Sequence, residues 1–234
     1  MGSQRSLQRN KMHFLSFSVV LAAASGILAV PSPVPPFSTF TNVTIFTPPT
    51  NYTDPGVLYA RTVELEGGVL LATWENYSPQ PPLVYFPIFK SIDGGGTWKE
   101  ISKITDQVNG WGLRYQPFLY ELPAPVGRYP AGTVLAAGNS IPADLNYTQI
   151  DVYASFDKGY SWEFVSRVAS GGAAIPDDGI PAIWEPFILF YEGKIVGMSI
   201  RKIFSPSLSI VDVTTEKGSQ IPSLPKAFLP LNQL

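Results

Sequence analysis

The sequence predicts an all-β protein made of repeated antiparallel sheets of four strands, and three observations carry this prediction. Short alternating runs of β-branched and aromatic residues, separated by Gly, Pro, Asn and Asp, fill the chain, and no segment has a convincing helical period. An octapeptide at 91–98 recurs at 155–162, and a second motif, aromatic-[Gln/Glu]-Pro-Phe-aliphatic, stands at 115–119 and at 184–188. The octapeptides are 64 residues apart and the second motifs 69 apart, so both indicate one structural repeat.

The predicted strands fall into groups of four that are bounded by turn residues. In the first group, 60–65 and 69–75 flank a Glu-Gly-Gly turn, and 84–91 and 98–104 flank the first octapeptide. In the second group, Pro-containing loops separate 114–122, 133–141 and 149–155, and 162–168 follows the second octapeptide. A third group begins with 183–191 and 194–200, which a Glu-Gly turn joins. The chain therefore holds about two and a half such sheets.

The octapeptides have the pattern Ser-x-Asp-x-Gly-x-[Ser/Thr]-Trp, which suits a tight turn between antiparallel strands. The carboxylate and the hydroxyls can bond turn backbone groups, glycine supplies a positive φ, and the indole packs into the sheet. The matching residues are Ser91, Asp93, Gly95, Thr97 and Trp98, and then Ser155, Asp157, Gly159, Ser161 and Trp162. The pattern resembles the Asp box of sialidase-like β-propellers, in which each four-stranded blade can carry one box in its outer hairpin. We expect both aspartates to be structural and not catalytic.

Composition narrows the chemistry that the chain can perform. Its 234 residues carry a net charge of −2 without a basic block, so nucleic acid is not an expected partner. There is no cysteine, and the only histidine is His13. A mature chain without either residue excludes Ser-His-Asp and Cys-His nucleophiles and His- or thiolate-ligated metals, so we expect no metal and no cofactor. Carboxylates, Tyr, Lys and Arg remain, which is typical of a glycosidase.

The N-terminal region has the pattern of a secretory signal. Residues 1–29 begin with basic residues, continue with an apolar run at 14–24 that is too short to span a bilayer, and offer Ala22-x-Ala24 for cleavage. Residues 30–58 are expected to form an extended segment. Four sequons stand at Asn42, Asn51, Asn76 and Asn146. We predict a secreted extracellular glycoprotein with no membrane segment after cleavage.

Two longer runs, together with the Asp boxes, resemble a known enzyme family. They are Asn109-Gly-Trp-Gly-Leu-Arg-Tyr-Gln-Pro-Phe and Gly179-Ile-Pro-Ala-Ile-Trp-Glu-Pro-Phe. Over residues 59–196 the chain is similar to fungal glycoside hydrolases of family 93. The resemblance implies a six-bladed sialidase-fold propeller that acts from the end of linear α-1,5-L-arabinan, a plant cell-wall polysaccharide, and releases arabinobiose with retention. It further implies a monomer when the propeller is intact.

Glu185 is the candidate catalytic residue. It stands at the start of the first strand of the third group, and in a propeller this strand lines the channel and its start faces the substrate pocket. The adjacent Trp184 and Pro186 form a poorly solvated wall, a setting that favours proton donation by a carboxylic acid. The resemblance implies that Glu185 is one of the two catalytic carboxyls, as acid/base or as nucleophile, whereas a surface Glu on a strand is the alternative. A retaining enzyme needs a second carboxyl about 5 Å away. No second candidate stands out in this chain, and in the family it lies downstream.

Other residues near these strand starts are candidates for binding substrate. Guanidinium groups offer paired donors to sugar hydroxyls, and exposed indoles stack on sugar faces. The candidates are Arg61, Trp74, Glu75, Trp111, Arg114, Gln116 and Trp184. Each could instead be a packing aromatic or a surface ion pair.

The pattern fails after Arg201, and two other functions stay open. Residues 202–234 contain four prolines and no predicted strand, so we expect an aberrant or disordered tail after a partial propeller at 59–201. We expect this partial propeller to be truncated relative to the family and the chain to be inactive by itself.

A sialidase would use three arginines, for which Arg61, Arg114 and Arg201 are the candidates. Its Arg-Ile-Pro signature is replaced here by Arg61-Thr62-Val63. A non-catalytic glycan-binding propeller is the third possibility, because fold alone does not fix function.

Overall fold

The computed structural model describes residues 42–175, 179, 181–201 and 207–212, which all belong to one compact unit. These residues form eleven strands and contain no helix that is long and apolar enough to cross a membrane. The predicted signal peptide and most of the segment at 202–234 lie outside the described residues. Those two domain assignments therefore stay predictions.

The strands form three antiparallel sheets, which we call blades 1, 2 and 3. Blade 1 contains β1 Val57–Leu65, β2 Val69–Asn76, β3 Phe86–Ser91 and β4 Lys99–Ile104. Blade 2 contains β5 Leu113–Glu121, β6 Val134–Ser140, β7 Thr148–Ser155 and β8 Glu163–Gly171. Blade 3 contains β9 Ile183–Tyr191, β10 Lys194–Arg201 and β11 Ser207–Asp212. In each blade, neighbours in sequence are neighbours in the sheet, so the prediction of an all-β, antiparallel architecture is confirmed.

One strand lies where the sequence predicts none. β11 pairs with β10 from Val196↔Asp212 to Arg201↔Ser207, inside the segment expected to be aberrant. The expectation is wrong for these six residues because the prolines of the segment flank Ser-Leu-Ser-Ile-Val-Asp and do not interrupt it. The third sheet therefore has three strands among the described residues.

The core lies between successive blades. Phe86 and Ile88 of blade 1 pack with Leu119 and Tyr153 of blade 2, and further along Leu135 and Val152 of blade 2 pack with Ile183 and Ile188 of blade 3. Each fully buried aliphatic or aromatic side chain contributes about 1.5–3 kcal/mol. Stacked sheet faces thus replace the single central core of a smaller domain, which explains why strand β6 is buried along its whole length.

The two Asp boxes form the turns β3–β4 and β7–β8. In the first, Asp93 accepts bonds from the Thr97 N–H (2.9 Å) and hydroxyl (2.7 Å), and the Ser91 hydroxyl accepts from the Gly95 N–H (2.9 Å). The Thr97 backbone N–H is the main cause that lowers the pKa of Asp93 to about 2. In the second, Asp157 accepts from the Ser161 N–H at 2.8 Å and its hydroxyl at 2.6 Å. Both carboxylates thus accept hydrogen bonds from donors within their own turns, as expected of structural residues.

The two box tryptophans are held differently. Trp98 Nε1 donates to the Gly95 carbonyl within its own turn at 3.0 Å, whereas Trp162 Nε1 donates to Ser102 Oγ of blade 1 at 3.1 Å. The second box therefore also joins neighbouring blades, a contact that the local motif does not reveal.

Candidate active site

A cavity of about 510 Å³ lies where the first strands of the three blades approach one another. It is lined by Leu58, Tyr59, Glu75, Tyr115, Gln116, Ala174, Trp184, Glu185 and Ile200. A smaller cavity of about 360 Å³ shares Gln116 and Glu185 with it and adds Arg61 and Phe187. Among the predicted site residues, the structure thus brings Glu75, Gln116, Trp184 and Glu185 together in the larger cavity and Arg61 beside Gln116 and Glu185 in the smaller one.

Each first strand is interrupted by a β-bulge at the cavity. The residues at these bulges are Tyr59 (φ 54°), Gln116 (φ 55°) and Glu185 (φ 53°), all in the left-handed region. The strand register shifts at the same places, between Leu58 and Arg61 in β1 and between Tyr115 and Phe118 in β5. A bulge re-aims a side chain, and positive φ at a non-glycine residue is costly and concentrates at functional sites. Three successive blades therefore direct one polar side chain each to the same point.

The three bulge residues are joined by hydrogen bonds. Glu185 Oε1 accepts a short bond from the Tyr59 hydroxyl and a second bond from Gln116 Nε2 at 2.8 Å. Gln116 Oε1 in turn accepts from the Glu185 backbone N–H at 2.9 Å. Both ends of the Gln116 amide are used, so its orientation is fixed by its partners.

Glu75 is a second carboxyl in the same cavity. It is only 4 % exposed, its Oε1 accepts from the Gln116 N–H at 2.9 Å, and its Oε2 accepts from the Tyr77 hydroxyl at 3.1 Å. Burial raises the pKa of Glu75 against the effect of these two donors, and the nearby Glu185 charge raises it further. The sequence assigns Glu75 to substrate binding and offers no second carboxyl candidate, whereas the structure places two carboxyls within one cavity.

Tyr59 is a site residue that the sequence reasoning misses. The hydrogen bond to Glu185 is the main cause that raises the pKa of Tyr59, followed by burial, so the phenol keeps its proton at neutral pH and acts as a donor. The Arg61 guanidinium lies 4.6 Å from the centre of its ring. A weak signal does exist, because Leu58-Tyr59-Ala60 occupies in β1 the place that Tyr115-Gln116-Pro117 occupies in β5.

Trp74, a predicted binding residue, lies in a hydrophobic cluster and lines neither of the two cavities. It is 4 % exposed and packs against Phe46, with ring centroids 5.3 Å apart, and against Phe89 at 4.8 Å. Alternation along β2 turns Trp74 into the hydrophobic cluster and Glu75 to the cavity. The adjacent pair thus divides into one packing residue and one site residue.

Trp111 and Arg114 also lie away from these cavities. Trp111 stacks on Tyr147 with centroids 5.8 Å apart, and its backbone N–H donates to Asp106. Arg114 is half-buried and lines neither cavity. Its positive charge acts to lower the pKa of Tyr77, against burial, which raises it. Trp111 lies in the loop before β5, and Arg114 lies in β5 two residues before Gln116.

The four sequons differ in accessibility. Asn42, Asn51 and Asn146 are exposed, and glycosylation there stays a prediction. Asn76 is 3 % exposed, and its Nδ2 donates to Ser78 Oγ at 3.2 Å. A glycan on that nitrogen would have to break this packing, so the prediction for Asn76 does not fit the folded structure.

Over the described residues, no group of three or more His, Cys, Asp or Glu side chains is placed to hold a metal ion. The acidic side chains Asp106 and Asp151 are instead satisfied by protein donors. Asp106 accepts from the backbone N–H of Asn109 and Trp111, and Asp151 accepts from Arg167 Nε at 3.2 Å. This polar cluster links the loop before blade 2 to its outer strands.

The sequence and the structure were compared with those of known proteins. No protein-family model matches the sequence, and no curated protein matches it. Among solved structures, it is similar to the GH93 α-L-arabinofuranosidase of Fusarium graminearum with arabinobiose, with 58 % identity and a TM-score of 0.72 over 74 % of this chain and 50 % of that one. It is also similar to Penicillium chrysogenum α-L-arabinanase complexed with arabinobiose, with 50 % identity and a TM-score of 0.73 over 76 % and 52 % of the two chains.

A second structure of the Fusarium graminearum enzyme, with an iminosugar inhibitor, matches at 58 % identity and a TM-score of 0.72 over 75 % of this chain and 51 % of that one. Sequential antiparallel blades, Asp-box hairpins and converging first strands define the class: a sialidase-like β-propeller of the glycoside hydrolase type. At 50–58 % identity with these structures, the chain belongs to glycoside hydrolase family 93. It spans about half the length of the relatives that it matches.

Proposed function

We propose that this chain carries part of the substrate site of a secreted, retaining exo-arabinanase. The enzyme would release arabinobiose from the end of linear α-1,5-linked L-arabinan, act as a monomer, and use Glu185 as one of its two catalytic carboxyls. The arabinobiose held by the Fusarium and Penicillium relatives supports this substrate class. Secretion is supported by the signal-like residues 1–29.

The position of Glu185 is the observation that carries this proposal. Its carboxylate projects from a bulge into a cavity whose size suits a small sugar, and Trp184 lines the same cavity beside it. An indole next to a carboxylate provides an apolar face for a sugar ring together with a group that can act on its glycosidic oxygen or anomeric carbon. A surface Glu would have neither the cavity nor the two donors from other blades.

The test uses a completed propeller, in which residues 42–201 of this chain replace the matching half of the Fusarium relative. We expect it to release a short arabino-oligosaccharide from debranched arabinan, and Glu185→Gln to lower the rate by about three orders of magnitude or more. Asp93→Asn is the matched control, because it also neutralises a carboxylate but changes only a distant turn. Turnover near the wild-type rate in Glu185→Gln would remove this residue from the mechanism.

One observation favours a sialidase-type glycosidase as the second candidate. Such an enzyme uses a Tyr/Glu nucleophile pair, and Tyr59 donates directly to Glu185. The sequence Arg61-Thr62-Val63, which stands in place of the sialidase Arg-Ile-Pro signature, speaks against it. Release of sialic acid from sialyl substrates by the completed propeller, with no action on arabinan, would favour this candidate. Arabinobiose binding without turnover would favour a glycan-binding propeller.

We further propose that the 234-residue polypeptide has no arabinan activity when produced alone. It spans about half the length of its relatives, and a retaining mechanism needs two carboxyls placed on either side of the scissile bond. Incubation of the purified polypeptide with debranched arabinan, followed by chromatography of the products, tests the proposal. Released arabinobiose would show that the 234 residues contain the complete catalytic pair.

A further inference from the structure

We infer that Tyr59 and Gln116 are positioning residues, which hold Oε1 of Glu185 so that Oε2 is the atom presented to substrate. The inference rests on the proposed function in that it names the reacting atom of the same site. Its geometric part stands without that function, because it concerns only how three side chains of this chain hold one another.

The two donors fix a torsion that is otherwise loose. The terminal χ3 rotation of a glutamate is broad and about two-fold, so an unrestrained carboxylate presents either oxygen. Here Oε1 accepts from Tyr59 of blade 1 and from Gln116 of blade 2, while no described residue donates to Oε2. Two donors from two different blades make the two oxygens inequivalent and leave Oε2 for chemistry.

Gln116 is fixed more firmly than a single hydrogen bond would fix it. A flip of its amide would set two acceptors against each other at Glu185 Oε1 and two donors against each other at the Glu185 N–H. Its backbone N–H is anchored to the buried Glu75 carboxyl, which Tyr77 holds in turn. The order of support therefore runs from Tyr77 through Glu75 and Gln116 to Glu185.

The first experiment is an ultraviolet titration of the 234-residue chain, in which the difference between wild type and Tyr59→Phe isolates one phenol among 11 tyrosines. In Glu185→Gln we expect the Tyr59 pKa to fall towards 10, because the acceptor has lost its charge. In Gln116→Ala we expect it to rise further, because Glu185 Oε1 then accepts only from Tyr59 among the described donors and holds the phenol proton more strongly. Shifts of opposite sign set this apart from a loosened fold, which would move both variants towards 10.

The second experiment uses the completed propeller. Tyr59→Phe and Gln116→Ala should lower kcat by about 10²-fold, with a much smaller effect on KM, because they misplace the reacting oxygen. Gln116→Glu should move the pH profile to higher pH, since two carboxylates in contact share a proton. Tyr160→Phe is the matched control, because Tyr160 is an exposed tyrosine of the second Asp box. This variant should leave kcat unchanged.

The outcomes separate this inference from the proposed function. Equal Tyr59 titration in wild type and Glu185→Gln would overturn the positioning pair even if the completed propeller cleaves arabinan. A rise in KM with unchanged kcat would show that these residues bind substrate instead. If the completed propeller proves inactive on arabinan, the opposite titration shifts would still support the three-residue arrangement.

Discussion

Gly138 of blade 2 lies against the ring of Phe86 of blade 1, and Gly138→Ala tests whether this contact sets the spacing of the blades. A Cβ at Gly138 would stand 2.1 Å from Phe86 Cε2 and 2.6 Å from its Cζ. The ring of Phe86 is 1 % exposed and packed within the cluster that joins the two blades, so it has no free space to move into. The backbone φ of Gly138 is not positive, so the cost would come from packing alone.

Overpacking of this kind costs about 1–3 kcal/mol. For a domain of this size, each kcal/mol lowers the melting temperature by about 2–4 °C, so Gly138→Ala should melt roughly 2–12 °C below wild type. The measurement is thermal unfolding followed by circular dichroism. Phe86→Leu removes part of the ring, and Gly138→Ala should therefore cost less in that background, with a coupling of about 0.5–3 kcal/mol. Strictly additive costs in this double-mutant cycle would refute the steric explanation.

Three further predictions concern charge, aromatic packing and processing. Burial opposes ionisation of Asp106, but hydrogen bonds from backbone N–H groups, led by that of Asn109, outweigh burial and lower the pKa of Asp106. The stabilisation that ionised Asp106 gives should therefore be present above about pH 4 and be lost on acidification. In a plot of unfolding free energy against pH, Asp106→Asn should make the acidic side less steep. Trp74→Ala should lower the free energy of unfolding in urea by about 3–5 kcal/mol, whereas Trp184→Ala should mainly raise KM for arabinan in the completed propeller. The reverse pattern would contradict the assignment of Trp74 to packing and of Trp184 to the site. Intact mass of secreted material should show a mature start between residues 25 and 33 and at least one glycan, and a retained Met1 or an unglycosylated mass would contradict this.

The hairpins were predictable because their signals are local. The Glu-Gly-Gly and Glu-Gly turns and the two Asp boxes lie between the strands that the structure joins, and such motifs carry their own backbone geometry. Strand β9 was predicted with its observed bounds for the same reason, since Pro181 and the Glu192 turn mark its two ends. Local chemistry therefore determines where strands start and stop.

The cavity was only partly predictable because it depends on contacts between blades. Nothing in the β2 sequence says that Phe46, 28 residues earlier, covers Trp74 and makes it a packing residue. The positive φ of Tyr59 is likewise invisible, because tyrosine is not a residue that favours such a conformation. Glu185 and Gln116 were found because the repeated Pro-Phe motif marks their bulges, and β1 lacks that motif.

The position of Glu185 is determined by blade 2 as much as by its own strand. Two residues before it, the Ile183 carbonyl accepts from Asn139 Nδ2 at 2.8 Å, and the Ile183 N–H donates to Thr148 Oγ1 at 3.1 Å. These groups are buried, so each bond is costly to leave unmade. Blade 2 thus anchors the start of β9 and, through Gln116, also holds the carboxylate that follows. A change that shifts blade 2 against its neighbours must therefore misplace Glu185, and stability at the blade contacts and activity at the cavity are expected to fall together.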